Sequence, residues 1–344
     1  MDRALASVVR VKDVQPIENA DFIEFATMES KAWQCVVKKG EIKPGDIAVY
    51  MEIDSFLPEE ERYEFLRKSS YKKMGNDTGF RLKTARFRGQ ISQGLLLPLS
   101  RFPELSDVSV GDDVTKTLGI QLYQKPVSPR LSGLVKGSFP AWLHKSDQER
   151  IQNLVHYFEQ YKDVKFEVTV KMDGSSCSVY HRDGEFGVCS RNLELKETEK
   201  NLFWRIARQL NLQERLSTLG RNIMLQGELC GEGIQKNKDK IKGYKLFIYD
   251  IFDIDNYCYL PATERLDIIS ALGEPQLDHV PIIEHTKVFQ KYTTFAELMD
   301  YADGPSYLAS NNREGIVCKS LEPINGQIIS FKVISNSYLL KHNE

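Results

Sequence analysis

The chain has 344 residues, 41% hydrophobic and 27% charged, the balance of a soluble globular protein with room for two domains. Its formal net charge of -2 excludes a global field drawing it to nucleic acid, so any such binding needs basic residues gathered locally. No apolar run is long enough to cross a bilayer, and Met1-Asp2-Arg3-Ala4 leads straight into a strand pattern rather than a secretory leader. Cys35, Cys177, Cys189, Cys230, Cys258 and Cys318 form no C-x-x-C pair and sit mostly among apolar neighbours. They read as reduced core residues of an intracellular protein, cytoplasmic or nuclear, with an organelle as the further alternative.

Residues 4–54 read as all-β, with strands at Leu5 to Val14, Phe22 to Met28, Ala32 to Val37 and Ile47 to Met51, the last after a Pro44-Gly45-Asp46 turn. Short strands at this spacing suggest a small barrel. Pro58 followed by Glu59, Glu60 and Glu61 starts a helix, an insertion into the barrel. Strand pattern resumes at Phe80 and runs to Gly89. Arg81 and Lys83 are expected on one face, and Arg86 and Arg88 on one face if the strand continues. The Pro16-to-Ala20 loop, the Gly45-Asp46 turn and the run Arg86-Phe87-Arg88-Gly89 to Ser92-Gln93-Gly94 resemble OB-fold modules of the tRNA-binding type. OB barrels present basic and aromatic residues to nucleic acid. A plain solvated strand accounts for these arginines nearly as well.

Pro126, Pro129, Gly133, Gly137 and Pro140 mark a linker. Ser146 with Glu149 three residues later has the spacing of a capping box, and predicts a helix to about Tyr161 with Ile151, Leu154, Val155 and Phe158 on its apolar face. Lys145 and Arg150 near its start oppose the helix dipole but suit a site that holds anions.

The alternating run Phe166 to Val170 reads as a strand that enters a turn at Gly174 through Lys171-Met172-Asp173. A lysine at the end of a buried strand is paired, solvated in a cleft, or held as a nucleophile. Downstream come Ser190-Arg191-Asn192, the strand Ile223 to Gly231 carrying Glu228, the aromatic strand Tyr244 to Phe252, Arg313-Glu314-Gly315 to Lys319, and Ser330-Phe331-Lys332. Glu228 and Glu314 lie in strands that otherwise look buried, and a buried carboxylate needs a cation. Two acids with Lys171, Lys319 and Lys332, all at strand edges, suit the handling of phosphate.

As an ordered set over about residues 145–335, these stretches resemble the covalent nucleotidyltransferases, namely ATP-dependent DNA and RNA ligases and mRNA capping enzymes. Lys171-x-Asp173-Gly174-Ser175-Ser176 and Ser146-Asp147-x-Glu149-Arg150 resemble the RNA-ligase pattern, and an OB module placed first resembles the fifth RNA ligase family, which seals nicks with 3′-OH and 5′-phosphate ends. One departure is Ser330, where the superfamily usually has the first of two lysines. The resemblance implies an α+β chain: an OB-like β-barrel over 1–120, a linker over 121–144, and a nucleotidyltransferase domain of antiparallel sheets with flanking helices over 145–344. It implies lysyl-AMP formation on Lys171 from ATP, AMP transfer to an RNA 5′-phosphate, and attack by a 3′-OH. Asp173, Glu228 and Glu314 are expected to handle Mg²⁺ or Mn²⁺, directly or through waters, and Asp173 has the alternative task of orienting the lysine. Arg191 and Asn192 are expected on ribose or phosphate, Glu228 also on ribose, and the peptide groups of Thr169 and Val170 on the adenine edge. Phe247 is expected to stack on adenine, with Tyr249 the same-face alternative. Lys319 and Lys332 are expected on the α-phosphate, and Lys145 and Arg150 on departing pyrophosphate.

The alternating lysines of Gln235 to Lys242 read first as a solvated hairpin tip, and second as a track for RNA backbone. Asn201 to Leu216 reads as a packing helix, the histidines show no zinc spacing, and Trp33, Tyr50 and Phe87 mark no oligomer interface, so a monomer is expected. The rival readings are a DNA ligase, a capping guanylyltransferase, and a non-catalytic OB-type RNA-binding protein.

Overall fold

The computed structural model describes residues 3–124, 133–306 and 311–342. It divides into two compact units: Met1–Pro126 with Gln152–His156 and Leu339–Glu344, and Val127–Ile151 with Tyr157–Tyr338. Among the described residues no helix is long and apolar enough to cross a membrane.

The first unit is built on a five-stranded antiparallel sheet in the order Leu95–Pro98, Ile47–Met51, Ala6–Pro16, Ile23–Met28, Gln34–Lys38. Ala6–Pro16 is its spine, pairing Ala6 with Met51 on one side and Val11 with Met28 on the other, with a register shift before Asp13. Its far edge is turned toward the hairpin Thr84–Phe87/Gln90–Gln93, where the Val36 N–H donates to Ser92 Oγ at 2.9 Å and Cys35 Sγ to Gln93 O at 3.3 Å. These bonds nearly close the barrel around buried Val8, Val49, Met51, Phe80, Leu97 and Phe102.

The insertion is a 3₁₀ turn, Glu61–Leu66, continuing into Arg67–Ser70. The strand expected from Phe80 to Gly89 is broken in two. Asp77–Arg81 pairs with Ser55–Pro58, and Thr84–Phe87 opens the hairpin. Arg81 is ion-paired to Asp54 at 2.8 Å, and Arg88 sits at the hairpin turn with φ 49°, followed by Gly89 at φ 89°. Arg86 and Arg88 therefore do not share a strand face, because the chain reverses between them.

The second unit holds two antiparallel sheets. The larger runs Val135–Ser138, Leu193–Leu195, Glu185–Ser190, Ser175–Arg182, Ile223–Gly231, Tyr244–Asp253, Cys258–Tyr259. The smaller runs Ile282–Thr286, Phe166–Val170, Gly315–Ser320, Ser330–Ile334. The expected packing helix forms as Leu202–Gln209 and Leu212–Ser217, with Asn201 Oδ1 accepting from the Phe203 N–H as its N-cap. Trp204, Ile206, Leu212 and Leu216 bury against Val179, Val188 and Leu225 of the large sheet.

Two expectations are corrected. Of the linker over 121–144, Pro126 and Pro129 lie outside the described residues, and Val135–Ser138 is a strand of the large sheet. The helix from Ser146 to Tyr161 does not form. Only Ile151–Asn153 and Tyr157–Gln160 are helical, and Ser146 Oγ donates to Asp250 Oδ2 at 2.8 Å instead of capping. The reason is tertiary. The Glu149 carbonyl accepts from the Lys332 N–H at 2.8 Å and Arg150 bridges in parallel to Lys332, so this segment satisfies its backbone against a strand edge.

Candidate active site

Lys171 stands where the chain leaves the small sheet and enters the large one. Its N–H donates to Gly315 O at 3.0 Å, fixing it beside the start of the strand Gly315–Ser320 that follows Glu314. Three residues later the Gly174 N–H donates to Glu228 Oε1 at 3.2 Å. A Cβ on Gly174 would lie 2.5 Å from Leu229 O and 2.9 Å from Glu228 Cγ, so glycine is required for this approach of turn and strand. Lys171, Glu228 and Glu314, distant in sequence, are thereby brought together.

Lys171 Nζ donates to Glu314 Oε1. Burial alone pushes the lysine's pKa down, but the attraction of Glu314, its hydrogen bond, and the nearby Glu228 and Asp173 outweigh it and leave the pKa above the ordinary value. Burial pushes Glu228 up to about 7, against the pull of Lys171 and with the repulsion of Glu314 and Asp173 added. Asp173 Oδ2 is paired to Lys238 Nζ at 2.6 Å. Lys238 belongs to the 235–242 stretch first read as a solvated tip, and no sequence spacing ties it to Asp173. Among the described residues no group of three His, Cys, Asp or Glu side chains is clustered tightly enough to hold a metal directly.

Lys332 Nζ donates to Asp147 Oδ1 at 3.2 Å, and Arg191 Nη2 lies 2.9 Å from Asp147 Oδ2. Arg191 also donates to Ser146 O at 3.0 Å. Asn192 Oδ1 accepts from Lys145 Nζ at 3.1 Å, and Lys145 has its pKa lowered by burial and by Arg191. Asp147 thus gathers Lys332 and Arg191, two of the cations expected on phosphate, a role its sequence context did not signal. Arg150 is buried beside Lys332.

Lys319 is not with Lys171. It is buried, paired to Asp250 Oδ1 at 2.6 Å, and donates to Tyr249 O at 2.7 Å. Burial lowers its pKa, against the attraction of Asp250. Thr169 is buried and donates from Oγ1 to Val317 O at 3.2 Å, and the Val170 N–H is taken by Pro281 O at 2.9 Å. Phe247 is 4% exposed and packed with Val170, Met172 and Val280. Tyr249, on the same face, is only partly buried and its hydroxyl is hydrogen-bonded to Ser176.

A lysine held at a sheet-to-sheet crossover, with Glu228 from a neighbouring strand and Glu314 just ahead of another, has the arrangement expected of a covalent nucleotidyltransferase, on a chain that opens with an OB barrel. An OB-fold domain model matches residues 5–99 and an RNA ligase model matches residues 164–334. The chain is similar to Naegleria gruberi RNA ligase with pyrophosphate, at 46% identity over 99% of both chains and a TM-score of 0.90. It is equally similar to a single-substitution variant of that ligase with AMP and Mn, at 46% identity over 99% of both chains and a TM-score of 0.91. A further variant, with ATP and Mn, shares 46% identity over 99% of this chain and 100% of its own, at a TM-score of 0.90. No curated protein matches. The chain belongs to the RNA ligase family, and is an enzyme that forms phosphodiester bonds.

Proposed function

We propose that this RNA ligase uses ATP and seals RNA ends bearing a 3′-OH and a 5′-phosphate. The observation that carries the reading is the Lys171–Glu314 contact beside Glu228 at the sheet crossover. Lys171 Nζ attacks the α-phosphorus of ATP. An N–P bond forms, the α–β bridging P–O bond breaks, pyrophosphate leaves, and the lysine gives up a proton. AMP then passes to the RNA 5′-phosphate, and the 3′-OH displaces AMP as the strand closes.

An ammonium cannot attack phosphorus, and the acids around Lys171 hold it as one in the nucleotide-free protein. Glu314, already accepting from Nζ, is the group placed to receive the proton. Asp173, Glu228 and Glu314 offer the hard oxygens that fit Mg²⁺ or Mn²⁺, and Glu228, raised chiefly by burial and further by Glu314 and Asp173, is a carboxyl that a cation would help to ionise. Such a cation, when bound there, would neutralise charge on the phosphate oxygens. The spread of the acids favours contact through waters. Lys332 and Arg191, held by the exchangeable carboxylate of Asp147, are positioned to take phosphate oxygens in its place, with Asn192 and Lys145 alongside. Thr169 and Val170 floor the nucleotide site. Tyr249, rather than Phe247, stacks on adenine, because Phe247 is already packed in the core. Lys319 supports the Tyr249 backbone instead of the α-phosphate, and buried Arg150 supports Lys332.

The OB barrel, residues 1–120 of the expected division, holds the 3′-OH strand through exposed Arg86, Phe87 and Arg88. The protein works as a monomer inside the cell, consistent with its free, mostly buried cysteines. The test is incubation with α-labelled ATP and Mn²⁺, followed by mass analysis. An AMP adduct on Lys171, absent in Lys171→Met and Glu228→Ala, is expected. An adduct from GTP and not ATP points to capping, sealing of DNA alone points to a DNA ligase, and no adduct from folded, AMP-free protein refutes the mechanism.

A further inference from the structure

The segment from Gly233 to Gly243 links two strands of the large sheet, yet it is built with more care than a connection needs. Gln235, Lys236, Asn237 and Lys240 all adopt positive φ, at 42°, 66°, 44° and 54°. Non-glycine residues are held there only when their surroundings insist, and such strain collects at functional sites. The surroundings are visible. Asn237 bridges to Ile241 through both side-chain atoms, its Nδ2 donating to the carbonyl at 2.8 Å and its Oδ1 accepting from the N–H at 3.0 Å. Asn311 Nδ2 donates to Lys238 O at 3.1 Å, and Ser306 Oγ donates to Asp239 Oδ1.

The segment's lysines divide sharply. Lys236, Lys240 and Lys242 are exposed. Lys238 turns inward, with its Nζ 2.6 Å from Asp173 Oδ2, 4.0 Å from the centroid of the Tyr338 ring, and donating to the Tyr338 hydroxyl. The Asp173 and Lys238 side chains are 15% and 19% exposed, so water screens the pair only in part. The contact is an ion pair rather than an aligned hydrogen bond, and its short reach draws the Asp173 carboxylate toward Lys238.

We propose that Lys238 is a positioning residue for adenylation, acting through Asp173: it holds that carboxylate aside, so that Glu314 alone pairs with Lys171. The inference rests on the reading of Lys171, Asp173 and Glu314 as the adenylation site. Without Lys238, Asp173 is left with its attraction to Lys171, two residues away in the chain, and a second acid then competes for the nucleophile.

The test uses the full chain and follows single-turnover formation of the AMP adduct from α-labelled ATP with Mn²⁺. Lys238→Met is expected to lower the maximal rate about tenfold, with the half-saturating ATP concentration unchanged. Lys238→Arg recovers most of that loss, and Lys236→Met on the same segment changes nothing. In an Asp173→Asn background, Lys238→Met has no further effect, since the group it acts through is gone. Thermal melts accompany each variant. A wild-type rate in Lys238→Met refutes the inference. So do a full additional loss in the Asp173→Asn background, a changed ATP half-saturation, or a loss that arginine does not recover and that tracks a lower melting temperature. Wild-type label transfer by Asp173→Asn alone instead refutes the site reading beneath it.

Discussion

Replacing Glu228 by glutamine separates what this residue does for the reaction from what it costs the fold. The pKa of its carboxyl is raised by burial to about 7, against about 4.3 in an unfolded chain. A carboxyl whose folded pKa is raised binds its proton more tightly when folded. Its contribution to stability is fully present below the unfolded pKa and is lost as pH rises through the folded one. Between pH 5 and pH 8 that loss is about 2–3 kcal/mol by linkage, and the carboxylate's partial exposure reduces it to roughly 1–2 kcal/mol. Glutamine is neutral throughout and keeps an oxygen for the Gly174 N–H that donates at 3.2 Å. In metal-free protein with chelator, denaturant unfolding is therefore expected to show Glu228→Gln more stable than wild type by roughly 1–2 kcal/mol at pH 8. The two should become level only as pH falls below about 4.3, where the wild-type carboxyl is protonated in the unfolded chain as well as the folded one. Because every other titrating group is common to both proteins, their difference isolates this one. A difference independent of pH, or a less stable variant at pH 8, would refute the reasoning, whatever the variant does to label transfer.

Gly174→Ala is expected to lose adduct formation while the fold survives, since its Cβ meets Leu229 O at 2.5 Å and the turn carrying Lys171 must move; circular dichroism beside label transfer checks this. Tyr249→Ala should raise the half-saturating ATP concentration about tenfold, the worth of one stacking contact, whereas Phe247→Ala should chiefly lower stability, by about 3–5 kcal/mol. Arg265→Met leaves Glu167 buried without its guanidinium partner and should cost about 3–5 kcal/mol of stability, much of it recovered in the double variant with Glu167→Gln. Arg86→Ala with Arg88→Ala should weaken sealing of nicked RNA at moderate salt and leave AMP-adduct formation intact.

Much of the fold was legible because its strands announce themselves locally. Ile47–Met51 has the bounds its apolar run predicts, and Asn201 caps the helix expected to begin there. The order Lys171, Glu228, Glu314, Lys332 was legible for a related reason. Each stands at an odd place in or just beside an apolar strand, and burial makes odd charges conspicuous. The helix from Ser146 to Tyr161 misled because its signals were real but local. A capping box and an apolar face state a preference of the isolated segment, and the open edge at Lys332 offered the same backbone a better set of partners.

What remained illegible is the choice of partner across sheets. Lys319 looked like a second phosphate lysine, since strand, spacing and charge were all suitable. Asp250, near the middle of a strand read as apolar and aromatic, claims it with a contact of 2.6 Å. Asp147 and Lys238 present the reverse case, exposed-looking charges in segments read as helix and loop that pair with Lys332 and Arg191 and with Asp173. In each instance the side chain's type was evident and its address was not, because the address is set by which strands lie together rather than by anything along one strand. That asymmetry also sorts the site by function. The residues legible in sequence are those whose chemistry demands an unusual position, and the residues found only in three dimensions are those that hold these groups in place.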